Sequence, residues 1–133
     1  MVLDPQVAMT GPVGYSENPN LPNLLSAQSW NEPTVVHELQ GAIFCVRSRL
    51  FQDGTFYFDP YLTPAFSEEF DLAKQFEKNG SYKIVMVPTD NYSHGGSGSH
   101  KGLATIKYFD TQSAKISIMA RNIDYVWQKW QNL

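Results

Sequence analysis

The spacing of apolar and polar positions changes character near residue 34 of this 133-residue chain. Beyond that point it is the pattern of a folded domain. Ala42 to Phe51 is rich in apolar residues and predicts a strand, and Asp53-Gly54 behind it is a type I′ turn pair that favours a hairpin. Across that turn Phe51 is expected opposite Phe56, Leu50 opposite Tyr57 and Arg49 opposite Phe58. One face then carries Phe44, Val46, Leu50 and Tyr57, and the other Arg47, Arg49, Phe51, Phe56 and Phe58. Both faces are partly apolar, so the hairpin should be covered on two sides.

Phe66, Phe70, Ala73 and Phe76 recur at helical spacing. Two starts fit this helix: Thr63 as cap with Pro64 following, or Ser67 before Glu68-Glu69. Early acids, late lysines (Lys74, Lys78) and an Asn79-Gly80 stop complete its signature. Tyr82 to Val87 is nearly continuous in apolar residues and predicts a central strand, closed by Pro88. Leu103–Phe109 and Lys115–Arg121 predict two further strands. Asn122 is then expected to cap a last helix, with Ile123, Val126, Trp127 and Trp130 at positions i, i+3, i+4 and i+7. The order ββ-α-βββ-α predicts an α+β fold: a mostly antiparallel five-stranded sheet with two helices, over residues 35–133.

Residues 1–34 behave differently. They hold five of the eight prolines, only three charged residues (Asp4, Glu17, Glu32) and no lysine or arginine. Proline removes a backbone donor and restricts the residue before it, so regular structure is disfavoured here. Yet Tyr15, Leu21, Leu24, Leu25 and Trp30 give the segment more apolar surface than a solvated linker carries. Such a segment either folds back across its own sheet or reaches a neighbouring subunit, and the favoured expectation is an extended arm that docks on another subunit through those five residues.

Composition narrows the classes of partner. Aromatics make up 14% and charged residues 17%, a bias shared by contact surfaces and aromatic cores alike. The net charge of −3 gives no field to attract nucleic acid or an anionic membrane. No stretch has the pattern of a signal peptide or a membrane span, which predicts a protein that stays in the cytoplasm or is packaged in a particle. The single cysteine, Cys45, lies in an apolar run and is expected to be buried; it excludes an intrachain disulfide.

One segment offers candidate chemistry. Between Thr89 and Gly102, His94, Gly95, Gly96, Gly98, His100 and Lys101 combine glycines that free the backbone with groups that bind anions. Lys101 is followed by Gly102, so the Walker spacing is absent. Asp90, His94 and His100 are metal-ligand types, but a Gly-Gly-Ser-Gly-Ser run holds ligands poorly, and no cofactor or metal is expected. His94-Gly95-Gly96 resembles an esterase oxyanion segment without the Gly-x-Ser-x-Gly that must accompany it. His37 has the setting of a surface residue, and Glu68-Glu69 suit a helix N-terminus better than paired acid–base work.

These features favour a non-enzymatic structural or interaction subunit of a larger protein assembly, with a virion or phage-particle component as one concrete version. Two alternatives stand beside it. One is a small anion- or metal-binding protein or enzyme working through loop 89–102; the other is an inhibitor or immunity protein.

Overall fold

The fold is given by a computed structural model, which describes residues 4–18, 21–28, 30–41, 43–63, 67–79, 81–90 and 112–131. It is α+β, and the described residues form two α-helices and two sheets. The strands are β1 (Val7–Gly11), β2 (Gly14–Asn18), β3 (Leu21–Gln28), β4 (Thr34–Val36), β5 (Glu38–Leu39), β6 (Cys45–Val46) and β7 (Lys83–Met86). Helix α1 spans Glu68–Lys78 and helix α2 spans Gln112–Gln131. The main sheet has the order β4-β7-β1-β6 and the second β3-β2-β5.

The first correction concerns the arm. β1 lies inside the main sheet, parallel to β7 (Thr10 opposite Val85) and antiparallel to β6 (Met9 opposite Val46). Val7, Ala8 and Met9 form a three-residue apolar run buried on both faces, as an interior strand requires. The prolines punctuate these strands instead of forbidding them. Pro5 precedes β1, Pro12 falls between β1 and β2, Pro33 precedes β4, and Pro22 sits in rim strand β3. Arg47 secures the entry to β1, its guanidinium donating to the carbonyls of Val7 (2.9 Å) and Asp4 (2.6 Å). The described strands therefore form two sheets, not one five-stranded sheet, and the β1–β7 pairing makes the larger of them mixed.

The second correction is the hairpin. Among the described residues of the expected strand only Cys45 and Val46 pair, and Ser48–Phe51 turns into a short 3-10 helix. Asp53-Gly54 does turn the chain: Gly54 has φ +77° and Asp53 Oδ1 accepts the Thr55 amide at 3.0 Å. Beyond the turn, however, Phe56 packs on Phe76 of α1 (ring centroids 4.9 Å apart). Burial against a helix covers both faces of this segment better than a two-stranded ladder would.

The third correction is at the C-terminal end. The expected strand Lys115–Arg121 and the helix after Asn122 are one continuous helix, α2. Ile116, Met119, Ile123, Val126 and Trp130 stand three or four apart throughout, and the brief Ile-Ser-Ile alternation is too short to compete. Asn122 is buried within the helix, its side-chain amide donating to the Leu62 carbonyl at 3.1 Å.

Helix α1 begins after Ser67, the second of the two expected starts, and β7 is central as anticipated. Leu72, Ala73 and Phe76 of α1 meet Met9, Val36, Leu39, Ile84 and Met86 in one core. Loop residues 91–102 and the expected strand Leu103–Phe109 lie outside the described residues. Among the described residues, no helix is long and apolar enough to cross a membrane.

The two sheets meet where the chain crosses from β4 to β5 at His37, whose amide donates to the Tyr15 carbonyl at 2.9 Å. Gly14 is a point of close approach: a Cβ there would stand 2.6 Å from Val36 Cγ1. Gly14→Ala should cost about 1–3 kcal/mol by overpacking. Adding Val36→Ala should recover part of that loss in urea titrations, and equal or greater damage in the double variant would refute the contact.

Candidate functional site

Two features emerge beside the core: a groove between the helices, and a buried charge cluster that fixes its walls. Asp71 of α1 is 1% exposed and has no access to water for its charge. It accepts from Trp130 Nε1 at 2.8 Å, Gln75 Nε2 at 2.8 Å and Lys129 Nζ at 2.8 Å. Lys129 also donates to Asp59 Oδ2 at 2.8 Å, and the Tyr125 hydroxyl donates to the same oxygen at 2.7 Å. Rings of Tyr57, Tyr125 and Trp130 stand 5.3–5.8 Å from the ammonium and supply further cation–π attraction.

The electrostatics identify this cluster as architecture. Burial works to lower the Lys129 pKa, but the bonds to Asp59 and Asp71 outweigh it and raise the pKa overall. The hydrogen bond to Asp59 is the largest of the causes that push the Tyr125 phenol up to about 12. Burial would raise Asp59 as well, yet Lys129, the Tyr61 amide and Tyr125 together hold it low. An amine kept protonated is a poor nucleophile, and as a cation Lys129 joins α2 to α1 and to the 57–62 segment. Gln75 strengthens the joint, its side-chain amide donating to the Tyr57 carbonyl (2.8 Å) and accepting the Tyr57 amide (3.1 Å).

The groove, about 530 Å³ in volume, lies where α1, α2 and the start of β5 converge. Phe70, Trp127 and Trp130 give it aromatic walls, and His37, Glu38 and Lys78 bring polar groups to its rim. Trp127 is 53% exposed and touches Phe70 edge-on, with centroids 6.4 Å apart. Glu38 sits where β5 meets α1. Burial, then the charge of Glu69, push its carboxyl up to about 7 against the pull of Lys74. Burial, then the charge of Glu68, bring Glu69 up to about 7 as well, opposed by the Gly41 amide.

The residues singled out by sequence are placed unevenly. Trp30 packs against the protein's own core, and Tyr15 is half-buried in the second sheet. Leu21, Leu24 and Leu25 belong to β3, where Leu25 pairs with Glu17 and Leu21 with Asn18. His94, Gly95, Gly96, Gly98, His100 and Lys101 lie outside the described residues. Among the described residues, no group of three His, Cys, Asp or Glu side chains is placed to hold a metal ion. Cys45 is exposed, not buried, because β6 is a two-residue rim strand whose inner contacts fall to Val46. His37 is at the surface, as expected.

Sequence reasoning missed Asp71, Lys129 and Glu38. Asp71 had one visible signal, a charge between Phe70 and Leu72 on the apolar stripe of α1, but a first-turn acid has a sufficient reason to be there. In comparisons with known proteins, no family model, no curated protein and no solved structure matches the chain.

Lys129→Met strands two carboxylates, one of them fully buried, and should cost about 3–5 kcal/mol in urea unfolding. Adding Asp71→Asn should restore a measurable part of it. A cost below about 1 kcal/mol for Lys129→Met would show that the cluster carries no structural weight.

Proposed function

We propose that this chain is a non-enzymatic interaction subunit of a larger protein assembly, and that it grips its protein partner at the α1–α2 groove. The observation that carries the reading is Trp127, half exposed at the edge of that groove. Apolar surface left in water costs about 25 cal/mol per Å², and an exposed tryptophan beside a pocket has the character of a binding hot spot. Its neighbour one turn away, Ile123, is 42% exposed and widens the patch.

The former arm keeps a part in this reading. β3 stands at the rim of the second sheet, and a rim strand accepts a partner strand by backbone pairing. Leu21, Leu24 and Leu25 lie on that strand. A viral or phage particle is one setting in which a subunit of this kind works.

Trp127→Ala should weaken association about 10- to 100-fold while the far-ultraviolet circular dichroism stays that of the wild type. Sedimentation of the purified chain measures self-association, and cross-linking in cells that make it identifies any other subunit. A chain that sediments as a monomer, and whose cross-linked partners are unchanged by Trp127→Ala, would remove the basis of the proposal.

A further inference from the structure

Where the second sheet meets α1, three carboxylates share one seam. Glu38 comes from β5, and Glu68 and Glu69 from the first turn of α1. The turn after β5 closes directly onto Glu69: a Cβ on Gly41 would stand 2.7 Å from Glu69 Oε1, so any larger residue would displace the carboxylate. The Gly41 backbone lies close enough to oppose the upward pull of burial on the Glu69 carboxyl. Glu68 Oε2 is buried with no hydrogen-bond partner.

The groups facing the seam do little to neutralise it. From β2 comes Tyr15, a phenol that burial and the charges of Glu38 and Glu69 push above its usual pKa. From α1 comes Lys74, whose ammonium is bonded to Glu77 at 2.7 Å. Lys78, also from α1, lines the groove beside Glu38. His37, beside Glu38, is exposed. Three acids therefore meet two lysines, one of which, Lys74, already has a partner in Glu77.

We propose that this seam is a pH-operated latch, closed when Glu38 and Glu69 carry protons and loosened when the two ionise together. Ionisation places two like charges in a partly dry interface, and their repulsion drives β5 away from the first turn of α1. Because Glu38 also lines the α1–α2 groove, the latch sets the shape of the groove wall. Latch and groove are separable: the pH response belongs to the chain alone and needs no partner.

The direction of the effect follows from proton binding. A carboxyl of this kind has an ordinary value of 4.5, and in the folded chain both Glu38 and Glu69 stand at about 7. The folded form holds its protons more tightly, so this contribution to stability is complete below pH 4.5 and lost as pH rises through about 7. Most acidic proteins change in the opposite sense, with paired carboxylates that destabilise the fold when protonated.

Amide hydrogen exchange tests the latch directly. After correction for intrinsic rates, protection at Tyr15, Gln40 and Gly41 should fall about tenfold or more between pH 6 and pH 8. In the Glu38→Gln/Glu69→Gln variant it should be the same at both pH values, because the amides mimic the protonated acids. Glu38→Lys, which places a cation beside Glu69, should hold the seam closed at pH 8. His37→Gln should keep the wild-type response. Wild-type protection independent of pH, or a response that survives in the double glutamine variant, would overturn the latch and leave the proposed binding role of Trp127 unaffected.

Discussion

The ammonium of Lys129, set between Asp59 and Asp71, is the constraint on which the arrangement of the C-terminal half depends. A buried ion pair gains little net stability once desolvation is counted, but it is intolerant of displacement. Lys129 and Trp130 can both reach Asp71 only if α2 lies in one register and one rotation. Asn122 fixes the same rotation two turns earlier, through its bond to the Leu62 carbonyl. Position 127 is about 200° around the helix from position 129, so orienting Lys129 inward turns Trp127 outward. The exposed tryptophan is a consequence of the buried salt bridge.

The second sheet is held by a different kind of contact. It has close approach in place of charge pairing: Gly14 against Val36, and Gly41 against Glu69. Two glycines thus permit backbone and side chain to meet where any other residue would separate them. The carboxylates at this seam lie next to a groove whose opposite wall is set by the Lys129 cluster. One wall is thereby rigidly specified and the other rests on groups that gain and lose protons near neutrality.

The parts of the fold legible in the sequence were those decided locally. Helix α1 announced itself through Ser67, its early acids and the Phe70, Ala73, Phe76 stripe, and β7 through a continuous apolar run. What failed was decided by distant partners. Val7-Ala8-Met9 is apolar enough for an interior strand, but the prolines around it outweighed three residues until β7 and β6 supplied the pairing. Phe56 had a reasonable local partner in Phe51 and a better one in Phe76. The charge cluster was illegible for the same reason, since Asp59, Asp71 and Lys129 come from three separate stretches and each has an ordinary surface role when taken alone.

The parallel pairing of β1 with β7 also has a consequence for how the chain comes into being. Val7 finds its place beside Lys83, so β1 has no neighbour on that flank until β7 has been synthesised. Contacts this remote in sequence slow folding and leave sticky backbone open meanwhile. During synthesis the growing chain therefore cannot complete its main sheet before translation has passed residue 86.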